Sequence, residues 1–271
     1  MNHEISPTPT VPIKDRKYDM TIDVNADAGE SIGRWILGND EELLKHVTSL
    51  NAACGFHGGD PGWMRNSVRL AKQNKVCLGA HPGFSDLGGF GRRRIAASHD
   101  EIIDMVVYQT GALLGFARAE NVPMTHVKPH GALNVAIGTD EELAVKVVEA
   151  ILAIQDDLEY FCAHQQTTDA LRNRGLPVRA EYVADMEYDD EGNVIIDKHM
   201  PVRPPSWVAE RGLEMAQGVL TTVGGRKIEI NADSLCVHGD RPGAADNAAA
   251  LRVALKDAGI EVAPPRAIFA Q

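Results

Sequence analysis

Clusters of carboxylate, imidazole and amine side chains recur along the chain, and each closes an apolar run that is typical of a β-strand. The clusters lie at residues 23–30, 54–61, 81–84, 126–131, 181–185 and 238–240. Such groups can transfer protons, bind a metal ion or stabilise a negatively charged oxygen as it develops. Parallel strands of a barrel all end at the same mouth, so these clusters predict one shared active site.

The first cluster carries Asp23, Asn25 and Asp27 at every second position. On an extended strand this spacing makes the three side chains project on one side. Three oxygen-bearing groups on one face suit a cation, a substrate amide or general-base chemistry. We predict that Asp27 is catalytic and that Asp23 and Asn25 bind substrate, although any one of them could instead cap the following turn.

Histidines follow four of the predicted strands, at His57, His81, His130 and His238. Imidazole relays protons near neutral pH and, in its neutral form, binds metals. A single histidine at a strand end is usually a packed core residue, but four at successive strand ends favour a site. We predict catalytic roles for His57, His81 and His130 and a substrate-binding role for His238.

The remaining candidates are one lysine, two acids and one arginine. Lys128 could neutralise an oxyanion at the mouth of the barrel, and we predict that it is catalytic. Glu181 and Asp185 are four residues apart, which favours one inside the barrel and one on the loop. We predict that Glu181 is catalytic and that Asp185 binds substrate. Arg92, in the glycine-rich loop at residues 88–94, either clamps a substrate carboxylate or pairs with acids on a helix.

Composition narrows the class of protein. The 271 residues carry a formal net charge of −11, which favours solubility and argues against a nucleic acid as partner. No apolar run reaches the roughly 18 residues that a membrane span needs, and the start of the chain lacks the apolar stretch of a signal peptide. Four widely spaced cysteines predict free buried thiols and a cytoplasmic protein, and Cys54 is predicted to be structural.

Strands and helices alternate through most of the chain and predict a single barrel domain over residues 19–271, after a flexible tail at residues 1–18. The seven predicted barrel strands are residues 20–24, 50–53, 76–80, 124–127, 158–163, 178–184 and 234–237. An extra strand at residues 226–230 and a hairpin whose second arm is residues 193–197 interrupt the pattern. An open α/β sheet with its site at the strand ends is the alternative architecture.

Several helix starts can be predicted from side chains that accept hydrogen bonds. Asn39, Ser98 and Thr139 are predicted N-caps, each with a glutamate three residues further on. Asp60 directly precedes Pro61, so we predict that it caps a helix and is not catalytic. The helix after the sixth barrel strand is predicted over residues 206–220.

In their order and length these motifs resemble the LamB/YcsF family, whose members include the A subunit of bacterial 5-oxoprolinase. The matching runs are DVNADAGE (residues 23–30), NAACGFHGGD (51–60), GAHPGF (79–84), GFGRR (89–93), HVKPHGAL (126–133) and CVHGD (236–240). The resemblance covers about residues 20–262. It implies a TIM-like, deacetylase-like (β/α)7 barrel.

The same resemblance implies an activity and its partners. The expected reaction is the hydrolytic opening of a cyclic amide, 5-oxoproline to glutamate, coupled to ATP hydrolysis with the B and C subunits of 5-oxoprolinase as partners. This chain carries no nucleotide-binding motif, which is consistent with ATP being bound by those partners.

Some positions depart from the family pattern and bear on the substrate. Met186 stands where the family usually has an arginine, and Arg241 stands where it usually has a threonine. A buried substrate carboxylate that lost its arginine would be left unpaired. Either Arg203 or Arg241 replaces the missing charge from another loop, or the natural substrate is a different lactam or cyclic imide.

Three functions are consistent with these residues. The first is a subunit of an ATP-dependent lactam hydrolase. The second is a metal-dependent hydrolase or deacetylase that holds a divalent metal with Asp27, His57 and His81. The third is a non-catalytic subunit that only binds a small metabolite.

Overall fold

The computed structural model describes residues 21–196 and 201–266. Its strands are β1 (Thr21–Ala28), β2 (Ser49–Ala53), β3 (Cys77–His81), β4 (Met124–Val127), β5 (Glu159–Cys162), β6 (Val178–Val183), β7 (Val219–Thr221), β8 (Lys227–Glu229), β9 (Ser234–His238) and β10 (Glu261–Val262). Its α-helices are α1 (Asp40–Leu43), α2 (Pro61–Asn74), α3 (His99–Ala119), α4 (Gly131–Gly138), α5 (Glu141–Ile154), α6 (Gln165–Asn173), α7 (Pro205–Ala216) and α8 (Ala244–Asp257). The predicted tail at residues 1–18 lies outside the described residues, so the predicted domain limits stay a prediction.

Seven parallel strands close into a barrel in the order β1-β2-β3-β4-β5-β6-β9. Closure follows from β1, which pairs with β2 on one side and with β9 on the other. The predicted (β/α)7 barrel is therefore confirmed, and the alternative open sheet is wrong. β10 pairs with the start of β1, and β7 and β8 form a separate antiparallel ribbon.

β1 runs further than the sequence predicted, because it ends at Ala28 and not at Val24. Its inward-facing polar side chains bond to both neighbouring strands. The amide of Asn25 donates to Ser234 Oγ on β9 at 2.8 Å, and Asp27 accepts from an asparagine on β2 at 2.9 Å. These bonds keep the whole segment extended, so both residues lie within the strand.

The segment after β6 also differs from the prediction. α7 ends at Ala216, earlier than expected, and the next residues form β7. The predicted extra strand is confirmed as β8, whose partner is β7. The predicted hairpin is reduced to a single bridge between Tyr188 and Val194, and residue 197 lies outside the described residues.

Most of the predicted helix caps are confirmed. Asn39, Asp60 and Ser98 each accept a backbone hydrogen bond from the first turn of their helix, and Ser98 completes a capping box. The cap predicted at Thr139 is wrong, because Asp140 accepts the backbone hydrogen bond that starts α5. α4 has no side-chain cap, and for that reason the sequence does not predict it.

The fold bears on two expectations from composition, which concern the cysteines and membrane-spanning segments. The four cysteines are free and buried. Burial raises the pKa of the Cys54 thiol to about 12, which agrees with a structural role, since the thiolate is the nucleophile. Within residues 21–196 and 201–266, no helix is long and apolar enough to cross a membrane.

Polar side chains fill the interior of the barrel. Barrel interiors are usually packed with branched apolar side chains, but here Asp23 accepts hydrogen bonds from Thr48 Oγ1 at 2.7 Å and from Ser49 Oγ at 2.6 Å. One layer nearer the mouth, Asn51 Nδ2 donates to Asn25 Oδ1 at 2.7 Å. The alternate positions of β1 are apolar and belong to the hydrophobic core around the barrel.

Gly79 on β3 makes room for one of these interior groups. A Cβ at this position would lie 2.1 Å from Nε2 of His126. That nitrogen is 2.8 Å from Asn51 Oδ1, and Asn51 in turn donates to Asp27. The absence of a side chain at Gly79 therefore allows the contacts that hold Asp27 in place.

Replacing Gly79 by alanine is expected to destabilise the protein by about 1–3 kcal/mol, because the new methyl group would overlap the His126 ring. The matched control is Gly111→Ala on the exposed face of α3, where nothing lies within 4 Å of the new Cβ. That change is expected to stabilise the helix by about 0.5–1 kcal/mol. Urea unfolding of both variants measures the difference, and equal stabilities would contradict the packing role of Gly79.

Candidate active site

A cavity of about 240 Å³ opens at the mouth of the barrel, beyond the carboxyl ends of the strands. Its polar side is formed by Asp27, His81, Arg92, Lys128, His130, Glu181 and His238. Its apolar lining residues are Val135, Ala163, Val183, Met186, Val194 and Ile196, and the uncharged or amide side chains of Asn134, Thr139 and Asn193 also line it, together with His164. The fold thus brings residues from distant parts of the chain together, and their predicted catalytic and substrate-binding roles stay predictions.

Four predicted site residues lie behind the cavity wall, and each is at most 2% exposed. They are Asp23, Asn25, His57 and Asp185. Asp23 is the deepest, and burial raises its pKa to about 6 against the opposing effect of its hydroxyl donors. These residues support the side chains that line the cavity and do not line it themselves.

Lys128 is the central cation of the site and is 4% exposed. Its Nζ atom lies 2.8 Å from Asp27 Oδ1 and 3.0 Å from Glu181 Oε1, and 2.9 Å from Cys236 Sγ. Burial by itself would lower the pKa of Lys128, but the nearby negative charges, Asp27 foremost, raise that pKa well above its ordinary value. Lys128 is therefore an ammonium group held between two carboxylates.

Asp27 connects the lysine to two histidines. Its Oδ1 contacts Lys128, whereas its Oδ2 lies 3.3 Å from His81 Nε2 and 3.6 Å from His238 Nε2. Burial by itself would raise the pKa of Asp27, but the charges of His81 and Lys128 hold it well below its ordinary value. Asp27 is therefore ionised at neutral pH and can orient a water molecule or a ligand.

Asp185 orients His238 and is not exposed to the cavity. Its Oδ1 lies 2.9 Å from His238 Nδ1, and its Oδ2 accepts from the backbone amide of the same histidine at 3.0 Å. A carboxylate only accepts hydrogen bonds, so His238 Nδ1 carries a proton and Nε2 is left for the cavity. Burial alone would raise the pKa of Asp185, but His238 and Arg241 hold it below its ordinary value. This is the arrangement in which an acid orients a proton-transferring imidazole.

Three histidines pack together below Asp27. The rings of His57 and His130 are stacked with centroids 3.8 Å apart, and His81 meets His130 edge-on. Burial, together with the positive charge of the neighbouring histidines, holds the pKa values of His57 and His130 well below the ordinary value. The backbone at Gly91, with φ at +61°, lies so close that a Cβ would be 2.7 Å from His57 Cβ.

Glu30 is a candidate that the sequence analysis missed. Its Oε1 lies 3.3 Å from His57 Nε2 and 3.7 Å from His130 Nδ1. Burial, together with the charges of Asp240 and Asp27, raises the pKa of Glu30 well above its ordinary value. Its place in the first cluster, two residues beyond β1, was the available signal.

Two groups of side chains at the mouth could hold a metal ion, since the ligand atoms within each lie within 4.8 Å of one another. The first is Glu30, His57, His81 and His130, and the second is Asp27, Cys236 and His238. The predicted set of Asp27, His57 and His81 is not one of them. The reason is that His57 stacks on His130 and directs its Nε2 to Glu30, not to Asp27.

Arg92 lines the cavity, but it is also paired with an acid. Its Nη2 lies 2.7 Å from Asp240 Oδ2, and its guanidinium group lies 4.9 Å from the centre of the Phe90 ring. Any substrate carboxylate would therefore have to share Arg92 with Asp240.

Met186 lines the cavity, and neither arginine that could replace the missing family arginine does so. Arg203 pairs with Glu187 at 2.7 Å, and Arg241 donates to the backbone oxygen of Asp185 at 2.6 Å. Both arginines line a smaller pocket of about 60 Å³ beside the main cavity. Met186 lies between the two pockets, so at this position the main cavity meets an apolar side chain and not an arginine.

Replacing Lys128 by methionine is expected to destabilise the protein by about 3–5 kcal/mol near neutral pH, because Asp27 and Glu181 would lose their shared cation. Asp27 has a lowered pKa in the folded state. The stability from its pairing is thus present above the ordinary carboxyl pKa of 3.8 and is lost as the pH falls through the lower folded value. The deficit of the variant should therefore shrink as the pH falls below 3.8, which urea unfolding at several pH values measures.

The matched control for this experiment is Lys146→Met. Lys146 pairs with Glu142 at 2.7 Å on the exposed surface of α5, and exposed pairs contribute little to stability. A much smaller loss is expected there. A deficit in Lys128→Met that does not change with pH would show that the buried ion pair is not its source.

Comparison with known proteins agrees with this fold. A model of the LamB/YcsF family matches residues 22–270. The chain is 45% identical over 249 residues to a 5-oxoprolinase A subunit of Pseudomonas putida, covering 90% of this chain and 99% of that protein. It is 41% identical over 250 residues to the 5-oxoprolinase A subunit of Pyrococcus horikoshii, covering 90% and 98%. A crystal structure of a lactam utilization protein from Thermus thermophilus superposes with a TM-score of 0.81 at 41% identity, covering 90% of this chain and 99% of that one. The chain belongs to the LamB/YcsF family.

Proposed function

We propose that this chain is the ring-opening subunit of an ATP-dependent lactam hydrolase. The names of its relatives, lactam utilization protein and 5-oxoprolinase A subunit, support this reaction class. The observation that carries the proposal is the polar wall of the cavity, where Lys128, Asp27 and the Asp185–His238 pair lie together. These groups supply a positive charge, a fixed carboxylate and a proton carrier.

Opening a lactam requires water to add to the carbonyl carbon, the ring C–N bond to break and the ring nitrogen to gain a proton. An amide is a poor electrophile, so in this proposal ATP transfers a phosphoryl group to the carbonyl oxygen and a second water later releases phosphate. The partner B and C subunits would bind the ATP. The buried thiols of this chain fit a reducing, cytoplasmic setting for such a complex.

Each cavity residue then has a defined task. Lys128 stabilises the negative charge of the phosphoryl group that the substrate oxygen carries. Asp27 stays ionised and orients the attacking water. His238 takes a proton from that water through Nε2 and returns it to the ring nitrogen, while Asp185 keeps the imidazole oriented. His57, which lies behind the wall, supports the site and does not contact substrate in this scheme.

The His238→Gln variant tests the catalytic assignment. Assembled with the B and C subunits from the same organism, it is expected to open 5-oxoproline or a related lactam about 10²–10⁴-fold more slowly than the wild-type complex, because the proton carrier is lost. ADP release and the ring-opened amino acid are the measured products. The wild-type chain without its partners is expected to show little turnover.

The control variant is His99→Gln. His99 also pairs with an aspartate, Asp140, at 3.0 Å, but it lies outside the cavity and is partly exposed. Its complex is expected to retain wild-type activity. Full activity of His238→Gln would refute the proton-transfer role, and a wild-type complex that binds lactams without opening them would favour the non-catalytic alternative.

The apolar wall at Met186 bears on the substrate class. It favours a lactam whose ring carries no carboxylate on that side, since a buried carboxylate without a cation is unfavourable. We expect Met186→Arg to strengthen binding of 5-oxoproline about 10-fold or more relative to 2-pyrrolidinone, the same ring without the carboxylate. Calorimetry with both ligands measures this ratio. The uncharged variant Met186→Gln is the control, and an equal change in the ratio there would exclude a charge effect.

A further inference from the structure

Two backbone carbonyls decide which nitrogens of the histidine cluster carry protons. His81 Nδ1 lies 2.7 Å from the carbonyl oxygen of Lys128, and His130 Nε2 lies 2.8 Å from that of Phe90. A carbonyl oxygen only accepts hydrogen bonds, so both of these nitrogens are N–H donors. A neutral imidazole has a single N–H group. In their neutral forms, His81 Nε2 and His130 Nδ1 therefore present lone pairs.

These two nitrogens face each other and two carboxyl groups. His81 Nε2 lies 3.0 Å from His130 Nδ1 and 3.3 Å from Asp27 Oδ2. Glu30 Oε1 approaches from the other side, 3.7 Å from His130 Nδ1. With both imidazoles neutral, four electron-rich atoms converge here, and like partial charges repel strongly in a buried place unless a proton or a metal ion lies among them.

The neighbouring cationic side chains contact other atoms and do not lie among these four. Lys128 contacts Asp27 through Oδ1, the oxygen that points away from the histidines, and it also contacts Glu181. Arg92 pairs with Asp240. Among the residues that the structure describes, the ion pairs of Glu30 are with histidines alone.

His57 packs beside these four atoms but does not direct a lone pair at them. Two parallel rings with centroids 3.8 Å apart cannot both direct in-plane lone pairs at one ion, so His57 and His130 cannot both be ligands. His57 Nε2 instead lies 3.3 Å from Glu30 Oε1, where it can donate and orient that carboxylate. Its Nδ1 is buried without a hydrogen-bond partner, which is tolerable for a lone pair and unfavourable for an N–H group.

We propose that His81 Nε2, His130 Nδ1 and Glu30, three members of the first group, bind one divalent transition-metal ion such as Zn²⁺, and that Asp27 of the second group joins them through Oδ2. With zinc–ligand bonds of about 2.0–2.1 Å, the ligands of a tetrahedral site lie about 3.3 Å apart. Three of the ligand separations lie near that value: His81 to His130 at 3.0 Å, His81 to Asp27 at 3.3 Å and His130 to Glu30 at 3.7 Å. Histidine ligands that donate their second N–H to a backbone carbonyl, as both do here, are the usual support of a metal site.

The second group of potential ligands, at Asp27, Cys236 and His238, is not equivalent. The ammonium of Lys128 lies 2.9 Å from Cys236 Sγ and 2.8 Å from Asp27 Oδ1, so a cation already occupies that place. Since His81, His130 and Asp27 line the cavity, an ion in the first site would be close to a bound ligand and could act as a Lewis acid. The metal site does not depend on the proposed lactam substrate.

Calorimetry on the full-length chain tests this site without any substrate. Protein stripped with a chelator is titrated with Zn²⁺, and one ion per chain is expected to bind. His130→Gln and Glu30→Gln, which each remove a ligand, are expected to weaken binding by more than about 100-fold, and His57→Gln by about 10–100-fold. Absorption spectra with Co²⁺ in place of Zn²⁺ report tetrahedral coordination, and His99→Gln is the matched control, with unchanged binding.

Two results would overturn the proposal. One is a wild-type chain that binds no Zn²⁺ or Co²⁺, in which case the facing lone pairs share only a proton. The other is an ion that persists in His130→Gln and is lost in Cys236→Ser, which would place it in the second group. Because binding and spectra are read without turnover, a failure of lactam opening leaves this test unaffected.

Discussion

The buried ammonium group of Lys128 is the constraint on which the rest of the barrel depends. A charge inside a protein is strongly unfavourable unless charged or polar groups surround it, and here Asp27 and Glu181 lie 2.8 and 3.0 Å from its nitrogen. These carboxylates need a polar environment in turn, and the amides and hydroxyls of the inward-facing positions provide it. The apolar core consequently lies outside the barrel wall, against the helices.

Asp27 links this ion pair to the chemistry of the mouth. One of its oxygens contacts Lys128, and the other faces His81 and His238. The first contact keeps the carboxylate ionised and fixes its position. The second makes it available both to the proton carrier held by Asp185 and to the metal site proposed beside His130. Ring opening and cation binding would thus share a single side chain whose two oxygens have separate tasks.

Features that depend on a few neighbouring residues could be predicted from the sequence. The alternation of Asp23, Asn25 and Asp27 placed three polar groups on one face of a strand, because successive side chains of a strand point to opposite sides. Clusters at the ends of successive strands predicted a common mouth, and the side chains of Asp60 and Ser98 predicted helix starts. The fold class and the charged residues of the cavity wall follow from such local regularities, whereas most of the other lining residues were not predicted.

Sequence patterns thus identify the residues that can reach the mouth, whereas the folded barrel fixes which of their atoms meet there. Glu30 went unnoticed because its contacts with His57 and His130 join segments far apart in the chain. Asp185 supports a histidine 53 residues away and does not face the cavity. Side-chain rotamers and imidazole protonation depend on partners that only the folded barrel supplies, whereas strand and helix patterns arise from the local backbone.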